Sequence, residues 1–334
     1  MCRRIRAGTN RKPVPKRGEE EVQSTTSKHV SRVESAIRTG LAARSSVAAS
    51  WARSATLYRL DPATAEPEGR LTAPELALAR ERIGALLPMA APHLDRLFQT
   101  VGGLGACIVL ADLEGVALDR RGKSGDDGDF QAAGLWTGTA WSEARAGTNG
   151  IGTCLAEGRP VTIHRDQHFL ARNIGLSCSS APVFGAEGEM VAVIDVSTAR
   201  TDLPEAVSGL ISATVGEAAR RVEADLFSHE FPRARLVLVP GTERGIGAML
   251  AVDANDLVIG ATRAARLHLN LSGNLAAAPR PLADVMGQAA VDSFEDAERA
   301  VIARALARTG GNVSAAARAL GLSRATLHRK LDRR

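Results

Sequence analysis

The feature that most constrains the fold is a unit that occurs three times: an apolar run, a four-residue turn, and a second apolar run. It is first written Ala106-Cys-Ile-Val-Leu-Ala, then Asp112-Leu-Glu-Gly115, then Val116-Ala-Leu118. It returns as Ala181-Pro-Val-Phe, Gly185-Ala-Glu-Gly188 and Met190 to Val196. A third copy runs from Ala248 through Asp253-Ala-Asn-Asp256 to Ile259. Short apolar runs on either side of Gly- and Asp-rich turns read as β-hairpins. Between the second and third copies, Ala206, Leu210, Ile211, Val215, Ala218, Val222 and Leu226 recur at helical spacing, and Pro232 closes the run. The pattern predicts two α/β units in series, at 101–230 and 233–275, joined by one long helix from Leu203 to Phe231.

Upstream, residues 41–100 read as a helical region, with helices over 45–60 and 71–100. Thr72 followed by Pro74 and Glu75 forms a capping box. Pro88 and Pro92 predict a break, or two helices, in the second stretch. Residues 1–40 are polar, with a basic start and then Glu19-Glu20-Glu21, and are expected to be a disordered arm. Residues 276–290, with Pro279 and Pro281, are expected to be an extended linker.

At 334 residues the chain has room for two or three compact units. No apolar run approaches the roughly 20 residues that cross a bilayer, and the charged N-terminus lacks the apolar core of a secretory signal. A cytoplasmic protein without membrane contact is expected. Cys2, Cys107, Cys154 and Cys178 are scattered, without Cys-x-x-Cys spacing, which argues against a disulfide framework or zinc site. The net charge of +5 is concentrated at one end. From Arg299 to Arg334, eight Arg and one Lys face a single acid, Asp332. A compact basic terminus is the electrostatic footprint of phosphate contact.

The same terminus is patterned. Phe294, Ala297, Val301, Ile302, Ala305 and Leu306 lie on one face of a helix ended by Gly310-Gly311. Downstream, Ala317 is small enough for two helices to cross closely, and Gly321 permits a left-handed turn between them. Leu320, Leu322, Leu327 and Leu331 form the buried side. Ser323 caps the last helix, whose N-terminal end is the part that enters a major groove. Arg324, Ala325 and Arg329 then face base edges, and Thr326 and Lys330 face phosphates. The expected partner is double-stranded DNA, bound over 291–334.

The stretch Ala297 to Arg334 resembles the Fis-type helix-turn-helix of many bacterial enhancer-binding regulators, in which an initial helix dimerises and the following pair reads DNA. The centre resembles the same regulators. Trp141-Ser-Glu143, Gly147-Thr-Asn-Gly-Ile-Gly-Thr153, Ala156-Glu-Gly-Arg-Pro160, His168-Phe-Leu-Ala-Arg172 and Cys178-Ser-Ser-Ala-Pro182, with Val47-Ala-Ala-Ser-Trp51-x-Arg53-Ser54 and Leu60-Asp61-Pro62 upstream, are similar to the sensor of acetoin-catabolism-type (AcoR-like) regulators. Gly247 to Asn270 resembles the degenerate PAS-like segment that follows it. The resemblance implies an α+β multidomain chain: a GAF-like α/β sensor, a small PAS-like α/β segment and an all-α Fis-type helix-turn-helix. It implies a homodimer, a small-molecule effector, and RNA polymerase as a further partner.

A GAF fold usually encloses a cavity between its sheet and the covering loops. The expected ligand-binding residues are Trp141, Asn149, His168, Phe169 and Cys178. Gly147, Gly150 and Gly152 do not follow the dinucleotide order, and Thr148 or Asn149 capping a helix to Leu155 explains them better. His164 and His168 with Cys178 would make a metal site only if all three converged, and structural roles are the expectation. Neither a metal nor a cofactor is expected.

Regulators of this type carry an ATPase between sensor and DNA-binding domain. Here only about sixty residues separate the two, and Gly122-Lys123-Ser124, the one Gly-Lys-Ser, has Ala117 where a phosphate loop needs its first glycine. The tripeptide also reads as a hairpin edge and not as the start of a helix. A ligand-responsive DNA-binding regulator, not an enzyme, is the leading expectation. A redox or methionine-sulfoxide-reducing GAF enzyme would need two cysteines close together and would leave the basic terminus unexplained. A dimerisation module that modulates a full-length regulator would not bind DNA itself.

Overall fold

A computed structural model describes residues 17–65, 69–200, 202–240, 247–287 and 293–332. The chain divides into two compact units, 1–278 and 279–334. Both expected hairpins of the first α/β block form and share one sheet. Strands β1 (Ala106–Ala111), β2 (Ala117–Arg121), β3 (Val161–His164), β4 (Ser177–Phe184) and β5 (Met190–Thr198) lie in the order β2-β1-β5-β4-β3. The pairs are antiparallel, with Val109 opposite Asp195 and Ala181 opposite Ile194.

Side-chain alternation gives the sheet two buried faces. Ala106, Ile108 and Leu110 point to a core shared with Ala192, Ile194 and Val196 and with Leu94, Leu97, Val215 and Val222 from two helices. Cys107, Val109 and Ala111 point the other way, toward Phe130, Leu135, Trp141 and Ile151.

The helical region holds α1 (Arg17–Arg38), α2 (Ser46–Ala52) with a π-turn over 53–57, α3 (Ala73–Arg82) and α4 (Leu86–Val101). Two expectations are corrected here. The 1–40 arm contains a 22-residue helix from residue 17, and its residues 1–16 lie outside the described ones. Polar composition hid this helix because only a narrow stripe, including His29, Val33 and Ala36, is buried. The 71–100 stretch breaks at Gly84, whose φ is +49°, and not at the prolines. Pro88 falls in the first turn of α4, where its missing N–H has no intrahelical acceptor to lose. The Thr72 capping box forms: Glu75 Oε2 accepts from Thr72 N at 2.8 Å.

After β2 come α5 (Asp127–Ala132), α6 (Glu143–Ala146) and α7 (Gly150–Glu157), then α8 (Glu205–Glu230), the expected long helix. A second sheet follows, with β6 (Arg235–Leu238) pairing β7 (Met249–Val252) and β7 pairing β8 (Leu257–Ala261). Helix α9 (Arg263–His268), capped by Thr262, packs on it. Phe227 and Phe231 at the end of α8 pack with Met249, Ala251 and Ile259.

The second unit begins in the expected linker, where Leu282–Val285 forms a short helix, α10. It continues with α11 (Phe294–Arg308), α12 (Val313–Ala319) and α13 (Arg324–Asp332). Among the described residues no helix is long and apolar enough to cross a membrane.

Candidate nucleic-acid interface and sensor core

In the second unit Asn312 caps α12 by accepting from Ala315 N at 3.0 Å, and Ser323 caps α13 by accepting from Thr326 N at 3.1 Å. Between them Gly321 has φ +67°, a left-handed turn that a side chain would strain. Ala316, Ala317 and Leu327 are buried against Ile302 and Ala305, with Leu320 and Leu331 at the edge of the core. This is a helix-turn-helix by geometry.

Helix α11 carries two apolar faces where one was expected. Ile302 and Ala305 face α12 and α13, whereas Phe294 is 97% exposed and Val301 lies open beside it. Leu320 and Leu322 border the same open groove, of about 440 Å³.

Of the six expected DNA-binding residues, Ser323, Arg324, Ala325 and Arg329 are exposed. Thr326 and Lys330 are half-buried and engaged: Thr326 bonds the Ser323 hydroxyl at 2.8 Å, and Lys330 pairs with Glu298 of α11. A phosphate contact by Lys330 therefore competes with that pair. Sequence spacing could not reveal the carboxylate that Lys330 meets across the bundle.

In the first unit, the five expected ligand residues do gather on the α7 face of the sheet, but as a packed interior. Trp141, Asn149, His168, Phe169 and Cys178 are all buried. Asn149 Nδ2 donates to Trp141 O and Gly147 O, each at 2.8 Å, while its Oδ1 accepts from Gly152 N at 2.9 Å and caps α7. A Cβ on Gly147 would lie 2.6 Å from the Phe169 ring, and one on Gly150 would lie 2.5 Å from Asp195 Oδ1. These two glycines therefore serve close packing, and the protein's own groups occupy the expected cavity. A larger cleft, of about 620 Å³, opens at the end of the sheet toward α3, α4 and α8.

The packed interior contains a polar chain that sequence reasoning missed. His168 Nδ1 donates to Arg165 O at 2.8 Å, leaving Nε2 facing Cys178 Sγ at 3.3 Å. Ser197 Oγ lies 2.9 Å from that sulfur and 2.6 Å from Asp195 Oδ2, and Ser180 Oγ donates to Asp195 Oδ1 at 2.5 Å. Burial holds the His168 imidazole neutral down to about 4 and raises the Asp195 carboxyl to about 6. Burial also pushes the Cys178 and Cys154 thiols well up and the Cys107 thiol up to about 12. Such thiols are inert packing groups near neutral pH. His164 turns to Ser177 Oγ at 2.9 Å, and among the described residues no three ligands converge on a metal position.

A second network ties the N-terminal helices to this core. Arg53 donates Nε and Nη2 to the two carboxylate oxygens of Glu143, each at 2.8 Å. Ser50 Oγ donates to Glu143 Oε1 at 2.5 Å and lies 2.6 Å from Thr148 Oγ1. Trp51 Nε1 donates to Gln167 O at 2.8 Å, and His29 Nε2 contacts Phe169 O at 3.1 Å. The separate sequence motifs around 47–54, 141–153 and 168–172 are thus parts of one clamp over the sheet.

Gly122-Lys123-Ser124 stands differently from expectation: it does precede a helix, the six-residue α5. Asp126, Asp127 and Asp129 crowd the start of that helix, and Ala117 sits inside β2. Three carboxylates would repel a phosphate, so no phosphate cradle is built there.

Comparison with known proteins agrees with this geometry. Residues 293–333 match the model described as bacterial regulatory protein, Fis family. The acetoin catabolism regulatory protein of Cupriavidus necator is 33% identical over 243 residues, which are 72% of this chain and 36% of that protein. The propane 2-monooxygenase operon transcriptional activator MimR of Mycolicibacterium smegmatis is 34% identical over 102 residues, 29% of this chain and 17% of that one. The chain thus spans only about a third or less of the length of these relatives. The crystal structure of the E. coli DhaR(N)-DhaL complex superimposes with a TM-score of 0.50 at 18% identity, covering 68% of this chain and 77% of that one, a likeness of fold. The model described as MimR, N-terminal domain, matches residues 24–216, and the chain belongs to that family of transcriptional regulators.

Proposed function

We propose that the chain is a sequence-specific DNA-binding transcriptional regulator that answers a small-molecule signal through its GAF domain, without ATP-driven remodelling of polymerase. The observation that carries the first half is α13: Arg324, Ala325 and Arg329 stand exposed at the end of a capped helix whose opposite side is buried. Arginines there have the reach and fork geometry for guanine edges. The open apolar face of α11, with Phe294 and Val301, supports a homodimer. Dimeric readers of this kind contact half-sites about one helical turn apart.

The sensor half rests on the GAF-like sheet and on α8, which leads from it to the second sheet. The relatives' names speak of acetoin catabolism and of a propane 2-monooxygenase operon, so small alcohols, ketones and hydrocarbons are the effector class to try first. Residues Trp141, Asn149, His168, Phe169 and Cys178 remain the proposed switch region, entered by displacement of the covering loop 165–176. The acidic start of α5 beside Gly122-Lys123-Ser124 supports action by recruitment, occlusion or interference with full-length relatives, and the proposed location is the cytoplasm. The inert cysteines weigh against a thiol enzyme.

The test is genome-wide mapping of bound DNA in cells, with and without these compounds. Discrete sites whose occupancy changes with one compound support the reading. Uniform coverage, or sites indifferent to every compound while transcription still responds, contradicts it.

A further inference from the structure

The second sheet has an open edge. Strand β6 pairs with β7 on one side, and among the described residues no strand pairs with its other side. Val239 N donates to Ala248 O at 3.0 Å, and that pair continues the β6–β7 register. By the alternation of an antiparallel ladder, Val237 and Arg235 also direct their backbone groups to β7. The N–H and C=O groups of Leu236 and Leu238 therefore point outward along the free edge. The side chains of these two leucines are exposed too, Leu236 by 37% and Leu238 by 60%. They stand opposite Ala251 and Met249, on the face where Phe227 and Phe231 pack further in.

A sheet that ends in solvent usually guards its outer strand with a bulge, a proline within the strand or unmatched charge. Strand β6 has none of these. Its register against β7 is unbroken, and Pro232 and Pro240 lie outside it. Its one charged side chain, Arg235, is tied to Asp256 of its own chain at 2.5 Å. The strand is also symmetric, with a leucine on either side of Val237. A two-fold axis through Val237 sets Leu236 of one copy opposite Leu238 of the other. These are the residues whose backbone groups face out, so each such pair exchanges two N–H···O bonds. The four leucines then cover one another beside Met249, and the two Arg235 side chains fall at opposite ends of the seam.

We propose that β6 pairs antiparallel with β6 of a second copy, in register about Val237, so that the second sheet runs on across a dimer axis. This rests on the homodimer reading above and gives it a contact in the first unit, separate from α11. A seam of one short strand falls below the roughly 1,200 Å² of a stable interface, so it adds to the α11 contact and does not replace it. Once one contact forms, the other becomes intramolecular.

The test is disulfide trapping in the full chain carrying Cys2→Ser, since Cys107, Cys154 and Cys178 are buried. Opposed Cα atoms of a non-hydrogen-bonded pair lie about 4.5 Å apart, within disulfide reach. Val237→Cys should give a covalent dimer as the main product of mild oxidation. Arg235→Cys sits roughly 13 Å from its own copy along the seam and should give at most a tenth as much. Leu238→Lys, at an exposed position, should keep the wild-type melting temperature and raise the dimer dissociation constant at least fivefold in sedimentation equilibrium. The proposal is overturned if Val237→Cys traps no dimer, if Arg235→Cys traps as much, or if Leu238→Lys dimerises as wild type does. A chain that stays dimeric by sedimentation while Val237→Cys fails to trap refutes the β6 seam and leaves the α11 dimer standing. A chain that is monomeric at every concentration overturns both contacts.

Discussion

Replacing Arg53 by Met takes the guanidinium away from Glu143, a carboxylate whose side chain is only 2% exposed. Removing one partner of a buried pair costs about 3–5 kcal/mol when both are sealed off. Arg53 is itself 32% exposed, so water offsets part of the loss, and Ser50 still donates to Glu143. The expected cost is about 2 kcal/mol, a fall in Tm of roughly 4–8 °C for a unit of this size. Adding Glu143→Gln to Arg53→Met removes the stranded charge and should restore about half of the loss or more. The assay is urea unfolding of the four proteins of this cycle, at pH 7 and followed by tryptophan fluorescence, because Trp51 and Trp141 sit beside the network. A coupling of at least about 1 kcal/mol is expected for residues in one network. If Arg53→Met lies within about 0.5 kcal/mol of wild type, or if the two changes simply add, the clamp does not hold the N-terminal helices as described.

Four further outcomes follow from the geometry. Gly150→Ala drives a methyl into Asp195 and Ser180 at 2.5 Å and should destabilise the first unit by about 2–3 kcal/mol, measured by calorimetry. His168 is held neutral in the fold down to about 4 and, unfolded, titrates near the ordinary histidine value of 6.5, so folding loses stability through this group as pH falls from 6.5 toward 4. His168→Asn should therefore gain on wild type across that window, by up to about 3 kcal/mol, in unfolding curves taken at pH 7 and pH 4.5. Asp195 works in the opposite sense, since its raised value of about 6 makes the fold lose stability as pH climbs from 3.8 to 6, and Asp195→Asn should remove that limb of the profile. Ser323→Ala removes the α13 cap and should lower the stability of the second unit by about 1 kcal/mol, seen as a lower far-ultraviolet melting midpoint of that unit.

The sequence showed most of what local chemistry decides. Turn residues at 112–115, 185–188 and 253–256 announced the hairpins because Gly and Asp there have few alternatives. Asn149 and Ser323 announced helix starts, and Gly321 announced the turn between α12 and α13, for the same reason. Long-range pairing was not legible. The edge strand Val161–His164 lacks a turn of its own and forms because β4 offers it a partner. Helix α1 was read as a disordered arm because its stability comes from a few contacts with the loop around Phe169, not from its own composition. The five expected ligand residues lie buried together, which spacing along the chain does not reveal. Whether glycines at 147 and 150 leave space or admit a neighbour depends on Phe169 and Asp195, which are remote in sequence. The Lys330–Glu298 pair was invisible for the same reason.

The central claim, that α13 reads DNA, is tested most directly by fluorescence anisotropy of the full chain on a site recovered from genome-wide mapping, across a salt series. Arg324→Ala and Arg329→Ala should each cost about 1–3 kcal/mol on that site and little on scrambled DNA, because they are assigned to base edges. Lys330→Ala should weaken both alike and flatten the salt slope by about one unit. Equal loss on specific and scrambled DNA for both arginine variants, or wild-type affinity for all three, would contradict the assignment of α13 as the recognition helix.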